Sequence, residues 1–210
     1  MVGEATIPLF PLEVVLMPSM PLPLHIFEER YKLMIGECFE EKREFGVVYQ
    51  KGSDMKKNGC TANIVQVLKR FADGRLDIMT QGVNRFVIES INEDKPYLQA
   101  EVIYYDDESE ARADTLIADG IKLLEQLDVM TGKKRDYRSL SRMDHKTISF
   151  VISYNEVFTM EEKQNFLEMT STSERLTKSL ESLRIMVEKE KLSREIKKII
   201  GGNGNLRRSI

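Results

Sequence analysis

The sequence predicts an α+β protein in which a β-rich half precedes a helical half, and three observations predict it. The first half contains short β-branched and aromatic runs separated by glycine and proline turns. From about residue 108 onward, apolar residues recur instead at spacings of three and four. An acidic run at 106–110 separates the halves, and because aspartate is depleted in strands, the last strand should end there. We therefore expect a β domain over 1–107, a helical bundle over 108–200 and a flexible tail over 201–210.

Short apolar runs in the first half are predicted strands. The segment 7–16 contains Pro8 and Pro11, and because proline lacks a backbone donor, we expect an edge strand or an extended arm. The tripeptide at 72–74 predicts a tight hairpin turn, and the dipeptide at 81–82 predicts a break between two strands. Many short strands with such turns are typical of a closed or half-closed barrel. The other predicted strands are 45–50, 61–71, 75–80, 85–91 and 97–105.

One predicted helix interrupts the strands and is expected to plug one end of the barrel. Its apolar residues, which recur mainly every three or four positions, are Phe27, Tyr31, Met34, Ile35, Cys38 and Phe39.

Four helical segments are predicted in the second half. One spans 116–130 and ends near Gly132, and the next spans 143–158. A capping box at 159–162 opens a short helix, and a second at 171–174 opens a long helix. The long helix carries an apolar stripe that is more typical of a bundle core than of a seam between two chains. That stripe consists of Leu176, Leu180, Leu183 and Val187.

The composition excludes several classes of protein. Hydrophobic residues make up 41% and charged residues 31% of the 210, which is typical of a globular chain rather than a disordered one. The net charge of -3 gives no basic field for nucleic acid. No apolar run approaches the roughly 18 residues that span a bilayer, and the N-terminus does not resemble a signal peptide. We expect a cytoplasmic protein with no membrane partner and with reduced, buried cysteines at 38 and 60.

No motif for catalysis, a metal or a cofactor is present. The sequence contains no phosphate-binding loop of the form G-x-x-x-x-G-K-[ST] and no G-x-S-x-G nucleophile elbow. Its two histidines, His25 and His145, are isolated, which excludes a zincin motif. We therefore predict no catalytic residue, no metal and no cofactor.

Seven motifs in order resemble those of the Lon protease N-terminal (substrate-binding) domain family. They are IPLFPLEVVLMP (7–18), PLPLHIFEERY (21–31), GVV (46–48), GCTANIVQV (59–67), ADGRLDIMTQGVNRF (72–86), PYLQAEV (96–102) and EEKQNFLEMTSTSERLTKSLESL (161–183). There are departures from the family pattern. Ser19 stands where a glycine is common, Glu29 stands where a proline is common, and the pair at 60–61 replaces a more apolar one.

The resemblance implies a PUA-like β pseudo-barrel with one inserted helix, followed by a C-terminal α-helical bundle. In full-length Lon this region recognises unfolded or damaged polypeptide and helps the hexamer to assemble, and the ATPase and Ser-Lys peptidase regions follow it. The chain stops at Ile210, so the resemblance implies a stand-alone, non-enzymatic protein related to proteolysis.

Two of the matching motifs supply residues with expected structural roles. They are His25, Phe27, Glu28, Arg30, Tyr31, Gly82, Arg85 and Phe86. A neutral His25 imidazole is expected to hydrogen-bond a loop carbonyl and hold the helix entry. Glu28 is expected to form a salt bridge with Arg30 or Arg85, and Gly82 to take a positive φ or make a β-bulge.

The leading functional hypothesis is a non-catalytic module that binds exposed apolar segments of unfolded or partly folded polypeptide. The proline-rich arm carries more apolar residues than one small core accommodates, so an exposed apolar groove is expected. An edge strand there would also accept a peptide strand. The alternative is that the arm is buried or covered by a second copy. The candidate peptide-binding residues of the proline-rich arm are Pro8, Phe10, Pro11, Leu12, Val14, Leu16, Met17, Met20, Leu22 and Leu24.

Three other interpretations stay open. The first is a self-associating structural or adaptor protein that forms a homo-oligomer or docks on a protease or chaperone in trans. The second is an RNA-binding PUA-like protein, which the net charge and the interspersed Asp136 and Asp144 disfavour. The third is an N-terminal fragment of a full-length ATP-dependent Lon protease. The basic loop residues behind the second interpretation are Lys133, Lys134, Arg135, Arg138 and Arg142, with Tyr137 among them.

Overall fold

The computed structural model of the protein describes residues 4–108, 113–140 and 142–202, with side chains through residue 200. Most of the predicted tail and two residues of the acidic run, 109 and 110, lie outside these ranges. The elements in chain order are β1 (Glu4–Leu12), β2 (Pro21–Ile26), α1 (Glu29–Glu41), β3 (Phe45–Lys51), β4 (Asp54–Arg70), β5 (Leu76–Asn92), β6 (Gln99–Tyr105), α2 (Asp114–Thr131), α3 (Tyr137–Leu140), α4 (His145–Ser153), α5 (Met160–Glu168) and α6 (Thr172–Gly202).

The chain divides into two compact units. Met1–Ser109 and Phe158–Ser171 form the first, which we call the barrel unit. Glu110–Val157 and Thr172–Ile210 form the second, which we call the helical unit. The sequence predicted one helical bundle over 108–200, so the place of Phe158–Ser171 differs from that prediction.

The six strands form one mixed sheet in the order β2-β5-β4-β3-β1-β6, and β5 also pairs with β6. The pairing of β5 with β6 closes a ring of five strands, and β2 extends it by pairing with the first half of β5. The fold is therefore α+β, as predicted from the segregation of strands and helices. Because β4 and β5 are both 17 residues long, the hairpin that they form extends beyond the ring.

Strand β1 corrects the prediction of an edge strand or arm at 7–16. It pairs with β6 on one side through residues 4–8 and with β3 on the other through residues 9–12. The Leu9 amide donates to the Leu98 carbonyl, so backbone alternation turns the Pro8 nitrogen toward β3 and the Pro11 nitrogen toward β6. β3 does not pair with β1 at Pro8, and β6 does not pair with β1 at Pro11. The missing N–H of each proline therefore breaks no ladder hydrogen bond, so an inner strand tolerates both.

Strand β5 corrects the predicted break at 81–82, because it runs unbroken from Leu76 to Asn92. Gly82 pairs with Ala62 while Arg85 pairs with Cys60, so β5 contains the expected bulge between them. The φ of Gly82 is not positive. Instead, its backbone exchanges hydrogen bonds with the preceding loop: Ser19 donates to its carbonyl and its amide donates to Met20.

The core of the ring forms around Phe86, which is fully buried among residues of β1, β3, β5 and β6. A Cβ at Gly46 or at Gly59 would lie 2.8 or 2.5 Å from the tip of the Phe86 ring. The two glycines of the GVV and GCTANIVQV motifs therefore make room for this ring.

Helix α1 buries four residues, Tyr31, Met34, Ile35 and Cys38, at spacings of three and four. Phe27 and Phe39 were predicted to join them, and both are exposed, at 59% and 52%. Phe27 precedes the first helical residue, so helical periodicity does not govern it. Phe39 lies one turn after Ile35 at the edge of the buried stripe, about 100° around the helix from Cys38, and there its ring is half-exposed.

Helix α5 packs on the strands within the barrel unit. The predicted capping box is confirmed, since Thr159 and Glu162 make both reciprocal hydrogen bonds. The Gln164 amide donates to the Asn58 carbonyl on β4, and the Tyr105 hydroxyl on β6 donates to the Leu167 carbonyl. These long-range contacts attach α5 to the strands, and the periodicity of a nine-residue helix does not reveal them.

The helical unit packs α2 and α4 against α6. The α6 stripe predicted as bundle core is buried, with Leu176, Leu180, Leu183 and Val187 each at most 1% exposed. A buried guanidinium belongs to this core: Arg175 donates to the Ser149 hydroxyl and lies over the Phe150 ring at 3.9 Å. Among the described residues, no helix is both long enough and apolar enough to cross a membrane.

Candidate functional site

The predicted apolar arm does not form one exposed surface. Six of its ten candidate residues are buried, namely Pro8, Phe10, Leu16, Met17, Met20 and Leu22. The other four, Pro11, Leu12, Val14 and Leu24, are partly buried. The reason is tertiary: β1 is an inner strand and the loop at 17–20 lies across β5 at Gly82. A peptide-binding role for the partly exposed residues stays a prediction.

The open edge of the sheet is at β2 rather than at β1. Because the Met20 carbonyl accepts from Gly82 on β5, alternation turns the nitrogens of Pro21 and Pro23 toward the open edge. This edge therefore lacks two of its donors, which is a known protection against strand addition. A peptide that binds this unit as an added strand would find few partners there.

An apolar groove lies where α1 crosses the outer part of the β4–β5 hairpin. Its volume is about 300 Å³. The register of the hairpin explains the floor, since Val67 pairs with Ile78 and Arg70 pairs with Leu76, which places all four on one face. The lining residues are Ile35, Gly36, Phe39, Glu40, Ile64, Val67, Arg70, Leu76 and Ile78. Among the ten candidates of the arm, only Leu24 lies in register with a lining residue, Ile78.

Residues of α1 shape one wall of the groove. Gly36 presents no side chain, and nothing lies within 4 Å of the position that a Cβ would take there. Phe39 stands at the mouth, where the guanidinium carbon of Arg70 lies 5.8 Å from the centre of its ring. The Lys32 ammonium donates to the Asp73 carbonyl in the hairpin turn at 3.0 Å and so fastens the hairpin to the helix.

His25 lies on the opposite face of the hairpin. The predicted partner was a loop carbonyl, but Nδ1 of His25 lies 2.5 Å from the carboxylate of Asp77 on β5. The imidazole also contacts Phe27 and Phe71, with ring centres 5.9 and 5.8 Å away. The Lys69 ammonium lies 4.4 Å from the centre of the Phe71 ring on that face. His25 therefore joins β2 to β5 and to the hairpin rather than to a loop.

The carboxylate of Glu28 pairs with Arg30 at 2.8 Å and not with Arg85. Arg30 also lies over the ring of Tyr31, which packs on Phe10 with ring centres 4.1 Å apart. This pair is exposed, so it contributes little to stability.

Arg85 is almost fully buried and has a different role. Its guanidinium donates to the carbonyls of Leu167 and Met169 at 2.9 and 2.5 Å, and to the carboxylate of Asp107. It therefore caps the C-terminal end of α5 and attaches that helix to strand β5. No local pattern predicted the two carbonyl partners, because they lie 82 and 84 residues from Arg85.

Glu37 connects α1 to the segment before β6. Its carboxylate accepts from the Lys95 ammonium and the Tyr97 hydroxyl, both at 2.6 Å. These hydrogen bonds, with that of Lys95 the larger cause, lower the pKa of Glu37 below its ordinary value. Sequence reasoning missed this cluster, because Glu37 lies 58 and 60 residues from Lys95 and Tyr97.

The thiols of the chain are poor nucleophiles. Cys38 and Cys60 are both buried and reduced, and burial raises the pKa of Cys38 to about 11 and that of Cys60 as well. Within the described ranges, no three His, Cys, Asp or Glu side chains are grouped so as to hold a metal ion. The groove itself offers apolar contact and two charged side chains, Glu40 and Arg70.

The basic loop of the helical unit is partly neutralised by nearby carboxylates. Lys133 pairs with Glu156, and Arg135 pairs with Asp128 at 3.0 Å. The Tyr137 hydroxyl donates to the same Asp128 carboxylate at 2.5 Å. Burial by itself would raise the pKa of Asp128, but the two hydrogen bonds outweigh it and hold the pKa below its ordinary value.

Changing Asp128 to asparagine is expected to destabilise the helical unit by about 1–3 kcal/mol near neutral pH, since it removes charge-assisted hydrogen bonds. Because the folded-state pKa is lowered, the carboxylate stabilises the fold above its unfolded pKa of about 3.9. That contribution is lost as the pH falls through the folded-state pKa. Urea unfolding of both proteins by circular dichroism should therefore show the largest difference near neutrality and convergence in acid.

A matched control is Asp119→Asn, because Asp119 is half-exposed and lies 3.5 Å from Arg184. This change should have a small effect at every pH. A destabilisation by Asp128→Asn that stays constant between neutral and acid pH would contradict the assigned role of the carboxylate.

The family model described as the ATP-dependent protease La (LON) substrate-binding domain matches residues 6–184. Lon protease 1 of Hydrogenovibrio crunogenus is 24% identical over 197 residues, which cover 84% of this chain and 23% of that protein. The chain spans about a quarter of the length of the curated relatives it matches.

The fold is shared with solved structures, of which two are described. The N-terminal domain of the Mycobacterium avium complex Lon protease aligns with a TM-score of 0.71 at 20% identity, covering 86% of this chain and 98% of that one. A Lon N-terminal domain protein from Xanthomonas campestris aligns with a TM-score of 0.66 at 21% identity, covering 84% and 97%. With the family model matching most of its length, the chain belongs to the LON substrate-binding domain family.

Proposed function

We propose that this chain binds exposed apolar segments of unfolded or partly folded polypeptide, and that the groove between α1 and the β4–β5 hairpin receives their side chains. The observation that carries the proposal is the groove itself, an apolar concavity walled by a helix and a hairpin. Membership of a substrate-binding family supports the same class of ligand. The chain would act without chemistry of its own and would present its ligand to a cytoplasmic protease or chaperone partner.

The dimensions of the groove fit one or two side chains. Ligand pockets commonly measure ~300–1,000 Å³, and this groove lies at the lower end at about 300 Å³. Seven of its nine lining residues are apolar or glycine. Contact with aliphatic and aromatic surface does not read a precise sequence, which suits varied unfolded ligands.

The affinity of a single segment is expected to be weak. Immobilising a flexible peptide costs conformational entropy, and one small groove gives limited contact area in return. A dissociation constant of about 1–100 μM is therefore expected, with tighter apparent binding only where several chains act together.

Replacing Phe39 with serine tests the groove. Phe39 is half-exposed at the mouth, so the change should leave the fold intact. It should weaken binding of a permanently unfolded, reduced and alkylated protein at least about tenfold, because buried aromatic anchors dominate such interfaces. Isothermal titration calorimetry with the full chain measures the change.

Phe27→Ser is the matched control, since Phe27 is an exposed aromatic residue outside the groove lining. It should bind the unfolded protein about as well as the unmodified chain. Equal affinity of the unmodified chain, the Phe39 variant and the Phe27 variant would remove the groove from the proposal, and no measurable heat with any of them would remove polypeptide binding.

A further inference from the structure

We propose that the groove prefers polypeptide segments in which an apolar side chain lies between an acidic and a basic residue. This inference rests on the proposed function and names the class of ligand more closely. It is carried by two charged residues at the rim, Arg70 on β4 and Glu40 on α1.

Both charges are available to a ligand. Arg70 and Glu40 are exposed, and neither forms an ion pair with the other or with another residue in the described parts of the chain. Some charged neighbours differ in this respect: Lys32 pairs with Glu29, and Arg75 pairs with Asp73. The rim therefore keeps one cation and one anion beside an apolar floor.

Arg70 is oriented as well as unpaired. Its guanidinium carbon lies 5.8 Å from the centre of the Phe39 ring, so a cation–π contact holds it at the mouth of the groove. A carboxylate next to the inserted apolar side chain would meet this guanidinium. An ammonium on the other side of that side chain would meet Glu40.

The two rim charges favour a segment of another polypeptide as the ligand of the groove, rather than a second copy of the chain. A stable pair of copies buries roughly 800 Å² on each partner, whereas this groove is lined by nine residues and accepts one or two side chains. A short segment with one acidic and one basic residue can contact both rim charges without the larger surface that a stable dimer needs.

Fluorescence anisotropy of the full chain with labelled peptides tests the inference. Each peptide carries a central Leu-Phe in a Gly-Ser host, with an Asp flank, a Lys flank, both flanks or neither. The doubly flanked peptide should bind tightest, and each charge should improve affinity about threefold at low salt, the size of a partly exposed ion pair. This gain should shrink in high salt.

Three variants test which residue of the groove accounts for the preference for each peptide charge. Arg70→Gln should remove only the gain in affinity from the Asp flank. Glu40→Gln should remove only the gain in affinity from the Lys flank. Lys69→Gln is the matched control, because Lys69 is the adjacent cation on the opposite face of the hairpin, and it should change neither gain.

The outcomes separate this inference from the proposed function. If all four peptides bind equally, or if Lys69→Gln acts like Arg70→Gln, the charge preference is overturned while groove binding stands. If no peptide binds, both fall. If light scattering shows a concentration-dependent dimer that Phe39→Ser disrupts, the occupant is a second copy and the preference is overturned.

Discussion

Replacing Gly82 with alanine is expected to destabilise the barrel unit by about 3 kcal/mol, the upper end of the range for over-packing. The added Cβ would lie 2.1 Å from the carbonyl oxygen of Met17. That neighbour is backbone, held in place because Ser19 and Met20 are hydrogen-bonded to Gly82 itself. The loop at 17–20 must therefore detach from β5 or the strand must shift. Urea unfolding and hydrogen exchange of the 17–20 loop both measure the effect.

Gly36→Ala is the matched control for this prediction. Gly36 lies inside α1, and nothing is within 4 Å of the new Cβ. Since glycine in a helix interior is less favourable than alanine by about 1 kcal/mol, this change should stabilise the unit slightly. Equal stability of the two variants would show that the loop at 17–20 does not depend on a bare backbone at Gly82.

Replacing Arg85 with methionine is expected to destabilise the barrel unit by about 3–5 kcal/mol, the cost of removing one partner from a buried ion pair. The change takes away the donor to the carbonyls of Leu167 and Met169. It also removes the guanidinium that faces Asp107, whose side chain is only 5% exposed. The segment around α5 should then exchange its amide hydrogens much faster than the strands, which mass spectrometry of exchanged peptides detects.

Two further variants test whether the buried ion pair causes the loss of stability. Arg30→Met removes an exposed guanidinium paired with Glu28 and should cost less than about 1 kcal/mol. Combining Arg85→Met with Asp107→Leu should recover part of the lost stability, since a buried pair replaced by apolar side chains leaves less charge without compensation. If α5 exchanges as slowly in the Arg85 variant as in the unmodified chain, the guanidinium does not hold this helix.

Local patterns in the sequence determined most of the element types and their order, but they predicted neither strand β2 nor the short helix α3. The hairpin turn at 72–74 was predictable because Gly74 takes a φ of +83°, which glycine favours. The α5 capping box was predictable because both partners lie within four residues. The α6 core was predictable because a stripe such as Leu176, Leu180 and Leu183 shows helical spacing. Each of these signals is contained within a short window of the chain.

The tertiary structure decided which surfaces stay open. The apolar arm was predicted as the peptide site because its composition is apolar, but six of its ten residues are buried by strands and a loop from elsewhere in the chain. The groove instead unites Phe39 of α1 with Val67 and Arg70 of β4, which are about 30 residues away in sequence. Local periodicity predicts which face of a helix or strand is apolar, whereas burial depends on contacts between distant segments. The sequence alone therefore determined a strand-rich half followed by helices, and only the packing of α1 against the hairpin determined where an apolar groove forms.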